Sequence, residues 1–373
     1  MPYDVPHAVS PSLWALAWRR LRSDRVAMVS LAIVGVFLCM MVLSATGLIA
    51  KNWSQEVGAN YAPPSFLGDD LERAAPSTGP QPSAPGAKAS SAPTPVDVKD
   101  PLADVLAEIR GGAQDGAADD SDIVDPIADV MAQIRAKGIV PGAASVRAAT
   151  LPFGGDKWGR DVLQKTIKGS ETSIFVGLAA AVVATLLGTI FGAVAGYYGK
   201  WVDDFFNWFY SVFTAMPPLL LILAVAAVLQ QKGISTIILI MGLTGWTGTF
   251  RLIRSEYLKH KVREYVQAAD AIGASNARRM FVHIFPNVSH VVLVQLSIYT
   301  VAFIKYEVIL SFLGLGVPVD AVSWGSMLNE AQNELILGKW WQLAAAGTAM
   351  AVLVTAFSLF TDSLRDALDP KLK

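Results

Sequence analysis

The sequence predicts an all-α membrane protein with six transmembrane helices and a long insert between the first two. The chain has 373 residues, 53% hydrophobic and only 16% charged, whereas soluble domains carry about a quarter charged residues. Crossing about 30 Å of hydrocarbon takes roughly 20 apolar residues, and six runs are long enough. The predicted spans are Val26–Ala50, Ser173–Tyr197, Phe209–Leu229, Ile234–Ile253, Val288–Leu315 and Leu343–Phe360.

The first span follows an N-terminal segment, residues 1–25, whose end carries four arginines. This segment is too basic, and the apolar run at 26–50 too long, for a cleaved signal peptide, so we expect an anchor with a cytoplasmic N-terminus. Six spans return the tail, residues 364–373, to the cytoplasm. Cationic residues cluster in the loop predicted on that side, namely Arg251, Arg254, Lys259, Lys261, Arg263, Arg278 and Arg279.

Glycines and prolines shape the second and third spans. Gly188, Gly192 and Gly196 are spaced four apart, which permits close helix–helix approach in lipid. Packing within the chain is the simpler explanation, and a subunit seam is the alternative. Pro217 and Pro218 predict a kink or an irregular helix start, because proline removes a backbone donor. Such a break could line a translocation path or be a static kink.

Two charged residues, Lys305 and Glu307, fall inside the fifth predicted span. A charge at mid-bilayer costs about 2.5–3.5 kcal/mol, so each side chain should face a cavity or a partner. Glu307 either lines the substrate route or makes a structural hydrogen bond. For Lys305 we expect snorkelling or a bond to a partner subunit.

The predicted periplasmic segment, residues 51–170, contains a linker and a repeat. Its part at 74–95 is rich in proline, serine and alanine, which is typical of a flexible linker. Two similar amphipathic helices are predicted at 100–113 and 125–138, each opening with Asp-Pro. Helices this short are marginally stable alone and need a surface to pack against. They could pair with each other, lie on the membrane, grip a partner protein, or be a duplication without a function.

The loop at 256–287, within the predicted five-helix core at 171–363, contains a polar segment between two apolar runs. Around Gly273 the pattern predicts two short helices joined by a sharp turn, lying across the membrane face. Small alanines there would let another surface approach closely, so the segment is interpreted as a docking element. Its apolar and small positions at helical spacing are Val266, Ala269, Ile272, Met280, Phe281 and Ile284.

Several other chemistries are excluded or unsupported by composition. The single cysteine, Cys39, excludes an internal disulfide framework, and the four histidines have no metal-ligand spacing. A net charge of −1 gives no reason to expect nucleic acid. No Walker-type or Rossmann glycine pattern is present, so we expect no bound cofactor or metal and no ATP site in this chain.

Together these residues resemble the membrane-spanning permease subunits of bacterial ABC importers, specifically the C-type subunit of the dipeptide/oligopeptide/nickel group. The docking segment is similar to that family's cytoplasmic "EAA" coupling loop, although the eponymous glutamate is replaced by Gln267. Glu264 begins the Glu-Tyr-Val of the peptide group. Other matching residues include Ala268, Ala269, Gly273, Ile284 and Pro286 in this loop, Gly155, Asp156, Gly159, Arg160 and Asp161 before the second span, Gly199 and Trp201 after it, and Trp324 and Gly325 in the last outer loop.

The resemblance implies a type I importer permease fold in the bacterial inner membrane, with both termini cytoplasmic. It further implies a homologous second permease, two ATPase subunits that hold ATP and Mg²⁺, and a periplasmic or lipid-anchored binding protein. This chain would be a translocation subunit rather than an enzyme, contacting membrane lipid and no nucleic acid. The residues implied in coupling are Glu264, Tyr265, Gln267, Ala268, Ala269, Gly273, Ala274, Ser275 and Arg279.

Other interpretations remain open at this point. A secondary transporter or channel would need no ATPase, and a membrane scaffold could recruit partners through the insert. The cargo implied by the resemblance is a short peptide, but nickel chelates, glutathione, opines and peptide-like antibiotics pass through similar subunits. Arg278 and Arg279 could meet acidic residues of a partner or lipid headgroups.

Overall fold

The computed structural model describes residues 13–67, 147–231, 233–318 and 320–368, and within them the chain is helical with only isolated β-bridges. The all-α prediction is therefore confirmed, whereas the predicted linker and repeat helices lie outside the described residues. The helices are α1 Leu13–Ser23, α2 Arg25–Ala45, α3 Val162–Tyr198, α4 Lys200–Thr214, α5 Pro218–Leu229, α6 Ile234–Thr244, α7 Thr247–Lys261, α8 Glu264–Ala271, α9 Asn276–Phe312, α10 Trp324–Ile336 and α11 Trp341–Leu368.

Four single helices, α2, α3, α9 and α11, are long and apolar enough to cross a membrane. The pairs α4–α5 and α6–α7 pass the same test together but bend by 82° and 41°, which gives up to six spans. The interruption predicted at Pro217 and Pro218 in the third span is therefore confirmed, whereas the bend in the fourth span was not predicted. Pro217 and Pro218 cause the first bend, since neither can donate to the preceding turn. Gly245 ends α6 at the second bend.

Two predicted boundaries also fall inside helices. The start of the core at residue 171 lies within α3, and the tail predicted to begin at 364 lies within α11, which ends at Leu368. The early turns of α3 contain charged side chains such as Lys165 and Lys168. A search for apolar runs ends where such residues begin, although the backbone stays helical.

Helix α3 lies at the centre and packs against α6, α7 and α9. The glycines of its stripe contact α7 so closely that a Cβ atom would collide with the α7 backbone. Packing within the chain, the simpler of the two explanations, is therefore confirmed. The distances from such a Cβ would be 2.5 Å for Gly188 to the Trp246 carbonyl oxygen, 2.7 Å for Gly192 to that of Phe250, and 2.6 Å for Gly196 to that of Arg254.

The two ends of the described chain meet on one side of the helices. Leu21 of α1 packs against Leu364 and Leu368 of α11. A guanidinium nitrogen of Arg20 also donates to the Ala367 carbonyl oxygen at 3.4 Å. We call this the termini side, and the opposite side, which holds residues 46–67, 147–161 and α10, the loop side.

Helix α10 lies in the predicted outer loop between the last two spans and was not predicted. Ser323 caps its N-terminus, because the Ser323 hydroxyl accepts from the Ser326 N–H while Ser326 Oγ accepts from the Ser323 N–H. This reciprocal capping starts a helix without a long apolar run. The helix carries Trp324, which is fully buried, into the protein.

Candidate functional site

The docking element on the termini side consists of α8, a turn at Gly273 and the first turns of α9. Gly273 has a φ of +81°, and a Cβ atom added there would meet nothing within 4 Å, so its left-handed backbone, rather than space, requires glycine. Ser275 caps α9 by accepting from the Arg278 N–H at 3.4 Å. The predicted glycine turn between two helical stretches is confirmed.

One face of this element is fixed to the membrane helices. Val266, Met280 and Ile284 are buried against Tyr197 and Tyr257 of α3 and α7. The Tyr257 hydroxyl donates to the Met280 carbonyl oxygen at 3.2 Å. Because packed side chains move together, α8 and the start of α9 are attached to α7 and α3 as one rigid body.

The opposite face of α8 is open. Ala268 is exposed, but Ala269 is only 5% exposed and belongs to the buried face. The prediction that both alanines admit a partner is therefore wrong for Ala269, because neighbouring positions on a helix point about 100° apart. Ile272 was assigned to the apolar face by its spacing, yet it is 85% exposed. Helix α8 ends at Ala271, so the helical period no longer holds at Ile272.

Arg279 is occupied within the chain. Its guanidinium group forms an ion pair with Asp270 across the turn, bonds to Asn276 Oδ1 at 2.5 Å and lies over the Tyr197 ring. With its side chain 18% exposed, it braces the turn rather than meeting a partner. Arg278 is exposed, so its side chain is accessible to a partner.

The remaining coupling residues lie around this turn. Gln267 Nε2 donates to the Val262 carbonyl oxygen at 3.3 Å, and the Tyr265 hydroxyl lies 2.7 Å from Nδ1 of His260. Glu264 occupies the first turn of α8 and is exposed. The side chain of Gln267 is thus engaged locally, at the position where the related motif has glutamate.

On the loop side, the motif before α3 surrounds a buried ionic cluster. Asp156 is fully buried; its Oδ1 accepts from the N–H groups of Trp158 and Arg160 at 2.9 Å, and its Oδ2 accepts from Lys165 Nζ at 2.8 Å. Lys165 also bonds Glu330 at 2.5 Å. The cluster joins α3 to α10.

Other residues of that motif shape the backbone. Gly159 has a φ of +77°, and a Cβ atom there would collide with the Gly58 carbonyl group. Asp161 caps α3 by accepting from the Leu163 N–H at 2.8 Å. The Gly155 carbonyl oxygen accepts from Trp341 Nε1 at 2.7 Å, which connects the motif to α11.

Glu334 of α10 borders the ionic cluster. It is 2% exposed; its Oε1 accepts from the Lys157 N–H at 3.3 Å, and among the described residues its Oε2 has no partner. Burial raises the pKa of this carboxyl to about 7, against the opposing effect of Lys165. No sequence pattern indicated this residue, since its burial depends on how α10 docks.

Trp324 and Gly325 join α10 to the membrane helices. The Trp324 indole Nε1 donates to the Thr166 carbonyl oxygen at 3.1 Å, and a Cβ atom on Gly325 would lie 2.5 Å from the Val308 carbonyl oxygen.

Nearby, Glu307 is fully buried and accepts from Ser311 Oγ at 2.7 Å. This geometry supports the structural hydrogen bond over a lining role.

The three residues suggested for a translocation path do not share one surface. Glu307 is buried, whereas Pro217 and Pro218 are exposed. Lys305, two residues from Glu307, is also exposed. Across the part of the chain that the structure describes, no group of three or more His, Cys, Asp or Glu residues is placed to hold a metal ion.

Comparison with known proteins identifies two matching family descriptions. Residues 188–373 match the binding-protein-dependent transport system inner membrane component, and residues 12–64 match the N-terminal transmembrane domain of oligopeptide transport permease C. Two Bacillus subtilis proteins, a dipeptide transport system permease protein (DppC) and an oligopeptide transport system permease protein (OppC), are each 38% identical over 221 residues. These alignments cover 59% of this chain and 69% and 72% of the relatives. A putative peptide permease protein of Brucella ovis is 34% identical over 220 residues, and that alignment covers 59% of this chain and 72% of the relative.

Proposed function

This chain belongs to the family of inner-membrane components of binding-protein-dependent transport systems, and we propose that it carries short peptides into the cytoplasm as the C-type permease of its importer. As a multi-pass permease subunit of an ABC importer it supplies the route, and separate subunits supply ATP hydrolysis. The names of the relatives, which are dipeptide, oligopeptide and peptide permeases, support a peptide cargo.

The docking element is the proposed point of coupling to two ATPase subunits, which would hold the ATP and Mg²⁺. Its exposed face offers Ala268, where a partner can approach closely, and Ile272, an apolar side chain with little cover of its own. Its buried face is bonded to α7 through Tyr257 and Met280. A push on α8 by a closing ATPase pair would therefore move α7 and α9 with it. This rigid attachment is the observation that carries the proposal.

We place the termini side in the cytoplasm of a bacterial inner membrane. The contact between Arg20 and Ala367 holds the ends of the described chain on one side. That side carries the arginines of α1 and the basic residues around α8, in agreement with the positive-inside rule. The loop side would then face the periplasm and receive a substrate-binding protein.

The proposed coupling can be tested with two matched substitutions. Ile272 and Ile336 are 85% and 84% exposed, on the termini side and the loop side respectively. The chain is co-expressed with a second permease and ATPase subunits taken from the neighbouring genes where these encode them, and the complex is purified and assayed for uptake in proteoliposomes. We expect Ile272→Asp to reduce ATPase co-purification and uptake at least tenfold, and Ile336→Asp to leave ATPase binding unchanged. Full coupling in Ile272→Asp would refute the role of α8, and an absence of ATPase subunits from the wild-type complex would refute the function.

A further inference from the structure

Lys305 is a charged side chain exposed within a membrane helix. It lies in the apolar part of α9, about 10 Å along the axis, at 1.5 Å per residue, before the helix ends at Phe312. Among the residues that the structure describes, the Lys305 ammonium group has no hydrogen bond or ion pair. Because a charge in the bilayer interior costs about 2.5–3.5 kcal/mol, this group needs water or an acidic group from outside the described residues.

The direction of the side chain disfavours snorkelling, one of the two surroundings expected from the sequence. In an α-helix, Cβ atoms and long side chains lean toward the helix N-terminus. The N-terminus of α9 belongs to the docking element on the termini side, so Lys305 leans toward the middle of the membrane. The nearer end of the helix, at Phe312, lies in the opposite direction.

A cleft opens on the same face of α9, closer to the termini side. Ile298 lies two helical turns from Lys305, and helical positions seven apart share a face. Helices α7, α9 and α11 border a cleft of about 400 Å³ there, lined by Ile298 and other apolar side chains together with Glu256, His290, Gln295 and Arg365. The face of α9 that carries Lys305 therefore leads into a cavity with polar groups of both charges.

The chain itself leaves part of this polar lining without partners. Gln295 is only 8% exposed, and neither its amide nor the Arg365 guanidinium group has a hydrogen-bond partner within the described residues. A buried polar group without a partner costs about 1–3 kcal/mol, and water or a ligand in the cleft removes this cost. Lipid tails offer no such partner. The cleft and the Lys305 face above it therefore suit water rather than lipid.

We propose that this face of α9 lines the path of the peptide and that Lys305 binds the C-terminal carboxylate of the peptide in transit. This inference rests on the function proposed above. A short peptide carries that carboxylate whatever its side chains, and a charge-assisted hydrogen bond from an ammonium group is roughly twice as strong as a neutral one. Glu307, two residues further on, is buried and takes no part in this path.

Thiol labelling tests whether Lys305 faces water. Cys39 is the only cysteine of the chain, so Cys39→Ser provides a cysteine-free background for Lys305→Cys and for the control Val36→Cys in α2, where Val36 is 58% exposed. The complex, assembled as in the test of Ile272, is treated in proteoliposomes with a charged methanethiosulfonate on both sides, with and without ATP. Modification of this chain is measured by mass spectrometry.

We expect modification at position 305 to be at least tenfold faster than at position 36. Equally slow modification at the two positions would overturn the path, because position 305 would then face lipid or packed protein.

Uptake measurements test the role of the charge. Proteoliposomes that contain the complex and its binding protein are given a mixture of dipeptides and tripeptides, and the accumulated peptides are quantified by mass spectrometry. We expect Lys305→Met to reduce maximal uptake at least tenfold with all subunits still bound, and Lys305→Arg, which keeps the cation, to retain at least half. Lys51→Met, which removes an exposed lysine on the loop side, is the control and should take up peptides like the wild type.

Two results would overturn the proposal for Lys305. Undiminished uptake by Lys305→Met would rule out carboxylate binding, and loss of the second permease from that variant would show that Lys305 instead bonds to an acidic residue of that subunit. A wild-type complex that accumulates none of the peptides would count against the proposed function itself.

Discussion

Lys165 Nζ lies 2.8 Å from Oδ2 of Asp156, and both side chains are buried, at 2% and 0% exposed. Removing the cation would leave a buried carboxylate without its counter-charge, which typically costs about 3–5 kcal/mol. We therefore expect Lys165→Met to lower the melting temperature of the purified protein sharply. Lys168→Met, which breaks the more exposed pair with Glu171, should cost less than about 1 kcal/mol. Equal melting temperatures for the two variants would show that the buried ionic cluster does not stabilise the contact between α3 and α10.

Glu334 should make stability depend on pH. Burial raises its pKa from 4.5 to about 7, so the folded state binds more protons than the unfolded state between these values, and stability falls as pH rises through that window. Glu334→Gln removes the buried ionisation and should raise the melting temperature at pH 8, with a gain on the order of 3 kcal/mol. The control is Asp320→Asn, because the Asp320 side chain is exposed rather than buried. The same pH slope in Glu334→Gln as in wild type would contradict this assignment.

Gly273→Val tests the turn of the docking element. Its φ of +81° is strained for any β-branched residue, at a cost of about 1–3 kcal/mol. We expect the variant to insert and assemble but to lose the coupling of ATP hydrolysis to uptake in proteoliposomes. Gly347→Val is a matched control, since that helical glycine also has nothing within 4 Å but no positive φ. Normal uptake by Gly273→Val would remove the turn from the coupling mechanism.

Gly192→Val tests the contact between α3 and α7. A Cβ atom at Gly192 would lie 2.7 Å from the Phe250 carbonyl oxygen, so the helices must separate, at a cost of about 1–3 kcal/mol. The expected result is a lower melting temperature in detergent. Gly35→Val in α2, where the space is open, should leave it unchanged. A stable Gly192→Val would mean that the two helices are less tightly packed than described.

Deleting residues 74–144 should leave the membrane complex intact. The described parts of the chain on the two sides of the insert are joined by backbone pairs, Gly58 with Ala148 and Pro64 with Leu151, and these pairs do not depend on the deleted residues. Any loss of uptake should be confined to delivery by the binding protein. The measurement is co-purification of all subunits with and without the deletion. Collapse of the complex would show that the insert is structural.

Much of this fold was predictable because lipid imposes simple rules. Apolar length located the spans, glycine spacing indicated the α3 contact, and the polar segment around Gly273 indicated a turn. The break at Pro217 was anticipated as a kink, but its 82° bend was not. A proline shows that a helix is interrupted, whereas the angle depends on what the flanking helices pack against. Likewise, α10 could not be found by apolar length, since capping and docking hold it in place.

The sequence by itself determined the membrane class, the helical content, the glycine turn and the resemblance to a permease family, because each depends on local chemistry or on solvent. Only the tertiary structure decided which side chains are free. It placed Ala269 in the core, engaged Arg279 with Asp270, buried Glu307, and left Ile272 exposed. These outcomes depend on which helix faces meet. Helical period alone assigns residues to faces, and contact between helices decides which of those faces remain open.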